Sequence, residues 1–165
     1  MFLAPTSFHG RALDLPTPYL LDAEYEELAD LVCSAPRATP GIALLWRELD
    51  RAVIVRPEEA PPHRVRLRSC VRYTDLVHPQ HHAARIVSPR EPGRGDPALL
   101  SVLSLTGAAL IGLQQGAVMP WLAGPDRLRI FKIDGVDDPP ATSAEAHAAE
   151  ALERRRRVEL LLSME

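Results

Sequence analysis

Three histidines lie close together and form the only cluster of possible metal ligands that the sequence shows. They occur in the segment His78-Pro-Gln-His-His82. Three imidazoles on one loop could bind a transition metal, but a structural zinc site usually has a fourth ligand, and no cysteine lies nearby. We therefore predict a solvent-exposed loop, with an adventitious metal site as the alternative. We expect no resident metal and no other cofactor.

Other residue types that carry chemistry lack the partners they would need. Ser104 precedes a short predicted helix, but it lies in no nucleophile-elbow pattern, and spacing places no base beside it. Gly107 and Gly112 are not followed by the Gly-Lys-Ser/Thr ending of a phosphate-binding loop. The two cysteines, Cys33 and Cys70, are too far apart in sequence for a zinc knuckle and do not form a disulfide framework. The sequence therefore indicates a protein that is not an enzyme.

Arginine is concentrated in two segments. Between His63 and Tyr73 basic and apolar residues alternate, which predicts a half-buried strand with a cationic outer face. The basic residues are Arg64, Arg66, Arg68 and Arg72, and the apolar ones are Val65, Leu67, Val71 and Tyr73. Such a face suits either an acidic protein surface or solvent. The second run, Arg154 to Arg157, is typical of a solvated face near a helix C-terminus, with nucleic acid or an acidic protein as alternative partners.

Clusters of proline divide the chain and separate the elements that would position these residues. The segments are an irregular N-terminal arm (1–18), a short helical hairpin (19–57), a sheet domain (60–136) and a C-terminal helix (141–163). The last of these opens on the capping-box pattern Thr142-Ser-Ala-Glu145. The predicted class is α+β.

The hairpin segment carries two apolar stripes at helical spacing, separated by a loop over 34–41. The stripes are Leu21, Tyr25, Leu28 and Val32 in the first helix, and Ile42, Leu45, Trp46, Leu49 and Val53 in the second. Asp22 is the predicted N-cap of the first helix. About eleven residues per arm give a rod of roughly 16 Å. Arms this short are marginal alone, so we expect them to pack on each other and on the sheet domain.

The sheet domain is predicted to contain antiparallel strands and one short helix. Beyond the arginine-rich strand, the predicted strands are Ala83–Val87, Leu99–Leu103, Val118–Leu122 and Arg127–Ile133. The helix runs from Ser104 to Leu113, with Ser104 or Thr106 as its cap and Gly112 near its end.

The composition excludes some classes of function. Of 165 residues, 46% are hydrophobic and 25% are charged, and the net charge is −3. This balance disfavours a protein held on nucleic acid by phosphate contacts, so we expect no direct sequence-specific binding to nucleic acid. No apolar run approaches the ~20 residues that span a bilayer. We expect a cytoplasmic protein with no membrane partner.

The segment from Leu100 to Gly116 matches a spaced pattern. Its matching residues are Ser104, Gly107, Ala109, Leu110, Gly112 and Gly116. With this spacing it resembles the C-terminal domain of the Gre transcription factors, whose pattern is Ser-Pro-x-Gly-x-Ala-Leu-Leu-Gly, then Gly-Asp. Leu105 replaces the proline and Ala117 the aspartate.

Residues upstream narrow the resemblance. Leu49-Asp-Arg-Ala52 and Pro57-Glu-Glu-Ala-Pro61 are similar to segments of the Rnk family, called regulators of nucleoside diphosphate kinase. In that family a truncated hairpin precedes a Gre-like domain. The resemblance covers roughly residues 20–136.

This resemblance implies a fold like that of FK506-binding proteins over 60–136, a short coiled-coil hairpin, and docking beside the secondary channel of core RNA polymerase. It implies that Ser104, Leu105 and Thr106 face the polymerase; the alternative is that they only build a turn and a cap. In Gre factors, acidic residues at the hairpin tip help to bind a catalytic magnesium and stimulate transcript cleavage. Here the tip has Arg37 as its only charge. We therefore expect Arg37 to belong to the partner-binding surface and cleavage stimulation to be absent.

Two other functions stay open on the sequence alone. One is an interaction module of the same fold that has diverged from polymerase binding. The other, the least favoured, is a peptidyl-prolyl isomerase, suggested only by the implied fold. Such enzymes use an aromatic-lined pocket, whereas residues 60–136 offer only Tyr73, Trp121 and Phe131.

Overall fold

The computed structural model describes residues 14–91, 96, 98–139 and 157. Most of the predicted N-terminal arm lies outside the described residues. The predicted C-terminal helix over 141–163 also lies outside them, apart from Arg157, which is helical and exposed.

Three helices and seven strands make up the described part of the chain. The helices are α1 (Asp22–Cys33), α2 (Pro40–Asp50) and α3 (Leu105–Leu110). The strands are β1 (Tyr19–Leu21), β2 (Val53–Val55), β3 (Cys70–Asp75), β4 (Gln80–Val87), β5 (Leu99–Ser101), β6 (Val118–Leu122) and β7 (Leu128–Asp137). The predicted α+β class is confirmed. No helix among the described residues is long and apolar enough to cross a membrane.

Five strands form one sheet in the order β5-β4-β3-β7-β6. Three of its four pairings are antiparallel, but β4 and β5 run parallel. The prediction that all neighbours are antiparallel was therefore wrong for β5. A parallel neighbour needs a longer connection than a tight turn, and eleven residues separate Val87 from Leu99 in the sequence.

A second, two-stranded sheet replaces the ends of the predicted helices. Tyr19–Leu21 and Val53–Val55 pair in parallel as β1 and β2, and the Val53 amide donates to the Pro18 carbonyl at 2.9 Å. The first helix therefore begins at Asp22, and its N-cap is the extended Leu21 rather than the predicted Asp22. The second helix ends at Asp50. The β-branched run Val53-Ile54-Val55 favours extended backbone over a further helical turn.

Helices α1 and α2 share one core with α3 and the sheet. This packing was predicted, because helices this short are marginal alone. Buried side chains include Leu28 and Leu31 of α1, Leu44, Leu45 and Leu49 of α2, Leu110 of α3, and Ile86, Met119 and Ile133 of the sheet. Two residues of the apolar stripe predicted for the second helix are not buried, since Trp46 is 51% exposed and Val53, in β2, is 43% exposed. The α2 face that packs inward is instead the one that carries Leu44, Leu45 and Glu48.

Gly112 brings the turn after α3 against the start of β1. Its φ of 77° lies in the left-handed region that favours glycine. A side chain there would also lie 2.8 Å from the Pro18 Cβ atom. The Gly112 carbonyl accepts the Tyr19 amide at 2.9 Å. Helix α3 ends at Leu110 rather than at the predicted Leu113, but Gly112 lies just past its end, as predicted. The same turn holds the start of β1.

Candidate partner-binding site

The start of α3 is built by Ser104, which caps the helix. Its hydroxyl accepts the Gly107 amide at 3.0 Å and donates to the Ser101 carbonyl at 2.6 Å. The prediction that Ser104 caps this helix is confirmed. The single hydroxyl proton is used inside the protein, so Ser104 positions the turn while half-buried Leu105 and Thr106 form its first helical residues.

The start of α2 lies directly against the residues that precede α3. A methyl group at Gly41 would overlap the Leu103 carbonyl oxygen and would lie 2.9 Å from the Ser104 carbonyl carbon. Only a glycine permits this close approach of the two backbones. The Thr39 hydroxyl caps α2 by accepting the Ile42 amide at 3.2 Å.

Arg37 lies two residues before the Thr39 cap, in the loop 34–39 between α1 and α2. It is exposed, and its side chain makes no hydrogen bond or ion pair with the described residues. Helix α2, which follows this loop, begins against Leu103 and Ser104. The loop that carries Arg37 therefore leads into the helix that contacts the start of α3.

The loop between α1 and α2 is tied to the sheet domain by Arg90. The Arg90 guanidinium donates to an Asp30 carboxylate oxygen and to the Ser34 hydroxyl, each at 2.9 Å. Arg90 follows β4, whereas Asp30 and Ser34 are at the end of α1. This end of the helix pair is therefore bonded to the sheet domain.

The arginine-rich strand was predicted correctly only in its second half. Strand β3 begins only at Cys70, and from there the apolar residues are buried and Arg72 is exposed, as predicted. Arg68 has a φ of 73°, which is not strand backbone. Arg64 is buried at 4% exposure, its backbone bridges Gln114, and it does not belong to an outer face. Residues 64–69 instead form a bent segment whose arginines contact α1.

The acidic surface that these arginines meet is the chain's own helix α1. Arg64 and Arg66 both bind the Glu24 carboxylate, at 2.7 and 2.6 Å. Arg68 binds Glu27 at 3.1 Å. Glu24 and Glu27 are three residues apart, which places them on the same side of α1. The predicted cationic face is therefore largely neutralised within the fold.

Two further arginine contacts complete this neutralisation. Arg68 also lies 3.5 Å from Glu91, and Arg72 binds Asp137 at 2.7 Å. The second pair is exposed and the first is partly exposed, so each contributes little to stability. They nevertheless leave Arg68 and Arg72 less available to an external acidic partner.

Glu24 is the central residue of these contacts between α1 and residues 64–69, which we call the arginine seam. Burial raises the pKa of its carboxyl group, but hydrogen bonds from Arg64, the Leu21 amide and Arg66, with the charge of Arg64, lower it by more. The net pKa is below the ordinary value of 4.5. Glu24 is therefore ionised in the folded protein, and it also closes the start of α1 by accepting the Leu21 amide at 2.9 Å.

The histidine cluster does not form a metal site. Among the described residues, no group of histidine, cysteine or acidic side chains could hold a metal ion. His81 and His82 belong to β4 rather than to a loop. The His81 Nδ1 atom lies 2.8 Å from the Thr74 hydroxyl, and the His82 ring stacks on Tyr73. His78 lies instead beside Arg129, at 3.0 Å.

Three residues that shape this site were not predicted from the sequence, namely Glu24, Gly41 and Arg90. A signal existed for the first, because Glu24, Glu27 and Asp30 repeat at a spacing that places them along one side of α1. No local pattern marked Gly41 or Arg90, because their roles depend on contacts with Leu103 and Asp30 that are distant in sequence.

Comparison with known proteins places the chain among regulators. It is 32% identical over 109 residues to the Regulator of nucleoside diphosphate kinase of Escherichia coli (strain K12), covering 64% of this chain and 78% of that protein. The same protein of Shigella flexneri gives the same identity and coverage. No family model matches the chain.

Among solved structures, the fold is similar to that of a prokaryotic transcription elongation factor GreA/GreB from Nitrosomonas europaea. The two share 28% sequence identity with a TM-score of 0.57, over 74% of this chain and 99% of that one. The chain therefore has a GreA-like fold. With 32% identity over more than two thirds of its curated relatives, it belongs to the Rnk family, the regulators of nucleoside diphosphate kinase.

Proposed function

We propose that this protein is a regulator of transcription that docks beside the secondary channel of core RNA polymerase and does not stimulate transcript cleavage. The similarity to a GreA/GreB elongation factor at a TM-score of 0.57 supports polymerase association. The proposal includes a cytoplasmic location, where that polymerase acts, and a binding role rather than a catalytic one.

The proposed docking surface consists of Leu105 and Thr106 at the start of α3 together with Arg37, with Ser104 as the cap that orients the turn. Two observations support this surface. Helix α2, which follows the loop that carries Arg37, begins against Leu103 and Ser104 through Gly41. Arg37 is also free of ion pairs within the described residues, so its charge is available to a partner.

The proposal that the protein does not stimulate cleavage is supported by the charges of the loop 34–39. It contains no carboxylate to bind a catalytic magnesium, since Arg37 is its only charged residue. Arg90 also bonds the end of α1 to the sheet domain through Asp30 and Ser34. The helix pair therefore lacks the acid that the reaction needs, and its helices are short, with 12 residues in α1 and 11 in α2. In this proposal it is a short hairpin that forms one body with an FK506-binding-protein-like domain.

A second candidate function comes from the name of the curated relatives, which describes a regulator of nucleoside diphosphate kinase. The kinase would then be the partner, and the protein would be an interaction module of the Gre fold that has diverged from polymerase. Purification of the tagged chain from lysate separates the two functions. Polymerase subunits in the eluate support the first candidate, and the kinase without polymerase supports the second.

Substitutions in the docking surface are expected to weaken direct binding to core RNA polymerase. We expect Arg37→Glu and Thr106→Glu each to raise the Kd by roughly tenfold, because each adds a negative charge to the interface. Arg127→Glu is the matched control, since Arg127 is another exposed arginine, in the turn before β7. Fluorescence anisotropy with labelled protein measures all four Kd values. Equal Kd values for the wild type and both surface variants would remove this surface from the proposal.

A further inference from the structure

Helix α2 exposes one large aromatic side chain. Trp46 is 51% exposed, whereas the other tryptophan, Trp121, is 5% exposed in the core. After its first residue, Pro40, the exposed residues of α2 are Ala43, Trp46, Arg47 and Asp50. Because Ala43, Trp46 and Asp50 are spaced by three and four residues, they form one stripe along the helix.

The orientation of α2 makes this exposure unusual. The helix buries the charged residue Glu48, at 1% exposure, and turns its largest apolar side chain outward. Arg51 satisfies one Glu48 carboxylate oxygen, with its Nε atom at 2.9 Å. Trp46 therefore contributes little to the core, and exposed tryptophan is enriched where proteins bind other proteins.

Asp50 determines what kind of partner could cover Trp46. It lies one helical turn after Trp46, and its carboxylate has no hydrogen-bond or ion-pair partner among the described residues. Arg47, three residues before Asp50, does not pair with it. A purely apolar partner surface would remove the Asp50 carboxylate from water without giving it a hydrogen bond, which is unfavourable.

An arginine side chain satisfies both groups at once. A guanidinium can stack on the indole face of Trp46 while its N–H groups donate to the Asp50 carboxylate. Lysine would place a single point charge there and lacks the planar group that stacks. The chemistry of the stripe therefore favours arginine over an apolar or acidic partner.

We propose that Trp46 and Asp50 form a docking point for an arginine side chain of RNA polymerase. The inference rests on the proposed function, since it takes polymerase as the partner. The stripe belongs to the helix whose first turn lies against Leu103 and Ser104. The docking point would therefore add a second contact with polymerase, on the exposed face of α2.

The test measures the Kd of the full-length chain for core RNA polymerase at several salt concentrations. We expect Trp46→Ala to weaken binding roughly tenfold or more, and Trp46→Leu to be as weak, because leucine has no π face. We expect Asp50→Asn to weaken binding and to flatten the dependence of Kd on salt, since an ion pair is lost. Val118→Ala is the matched control, because Val118 is 43% exposed on β6. Thermal unfolding verifies that each variant is folded.

The outcomes separate this inference from the proposed function. If the wild type binds polymerase and Trp46→Ala binds equally well, the docking point is wrong and the proposed function stands. If Trp46→Leu or Asp50→Asn binds like the wild type, the occupant is not an arginine and the inference is overturned. If the wild type itself does not bind, the proposed function fails and this inference fails with it.

Discussion

Replacing Glu24 by alanine is expected to lower the free energy of unfolding by about 3–5 kcal/mol, the usual effect of removing one partner from a buried ion pair. The reason is the position of Arg64, which is 4% exposed and would keep a buried charge without its carboxylate. The variant also loses the carboxylate that accepts the Leu21 amide at the start of α1. Urea unfolding at pH 7 measures the difference.

Glu26 provides the matched control, because it lies on the exposed side of the same helix and has no partner among the described residues. We expect Glu26→Ala to change the unfolding free energy by less than about 0.5 kcal/mol. A double variant, Glu24→Leu with Arg64→Met, should recover part of the loss, since it no longer leaves Arg64 charged and unpaired. A loss of unfolding free energy below about 1 kcal/mol for Glu24→Ala would contradict this account, because it is the size expected of an exposed ion pair.

The same carboxylate predicts how stability changes in acid. The folded pKa of Glu24 lies below its ordinary value of 4.5, so the unfolded chain binds a proton more readily than the folded protein does. Its stabilising contribution is therefore complete above about pH 4.5 and is lost as the pH falls toward the folded pKa. The variant Glu24→Gln should lose this part of the acid dependence, which unfolding curves between pH 3 and pH 6 would reveal.

Asp75 adds a second acid-sensitive group, which Glu24→Gln leaves in place. Burial raises the pKa of Asp75, but hydrogen bonds from the His78 and Val77 amides, with the charges of Arg129 and His78, lower it below 3.8. Its contribution to stability is therefore also lost in acid, at a pH below that ordinary value. The acid dependence of Glu24→Gln should be reduced rather than abolished.

Gly41→Ala is expected to destabilise the protein by about 3 kcal/mol or more, at the upper end of overpacking effects. The added methyl group would overlap the Leu103 carbonyl oxygen and approach the Ser104 carbonyl carbon to 2.9 Å. Both atoms belong to the backbone, so α2 and α3 must separate. In an isolated helix the same change would stabilise by about 1 kcal/mol. A loss of stability on Gly41→Ala, rather than a gain, would therefore indicate that α2 lies against the start of α3.

Gly124→Ala is the matched control for this substitution. A methyl group at Gly124 would meet only the Arg127 Cδ atom, at 3.8 Å, which is an ordinary contact. We expect a change within about 0.5 kcal/mol for this surface position. Thermal unfolding of both variants measures the two effects. A neutral or stabilising Gly41→Ala would contradict the close approach of α2 to the start of α3.

Local patterns predicted those parts of the fold that depend on neighbours in sequence. Ser104 and Gly107 specify the cap of α3 because the hydroxyl and the amide are three residues apart. The predicted strand does not extend over residues 64–69, where a helix distant in sequence supplies Glu24, which pairs with Arg64 in the interior. A period-two pattern cannot distinguish a strand with a cationic face from a bent segment that binds acids.

The same limit applies to the candidate site. Arg37 and the start of α3 were singled out separately, one as the only charge of a loop and the other from a family pattern. The contact between the helix that follows Arg37 and the start of α3 depends on Gly41, whose role appears only when Leu103 lies beside it. The exposure of Trp46 was missed because helical spacing cannot show which of two adjoining faces of α2 turns inward.

The central claim is tested most directly by transcript cleavage in a halted elongation complex of RNA polymerase, with a Gre factor as the stimulating agent. The protein alone should produce no cleavage, because the loop 34–39 carries no carboxylate. In excess, it should suppress Gre-stimulated cleavage, because both proteins would occupy the same docking place. Stimulation by the protein alone, or undiminished Gre-stimulated cleavage at a large excess of the protein, would contradict the claim.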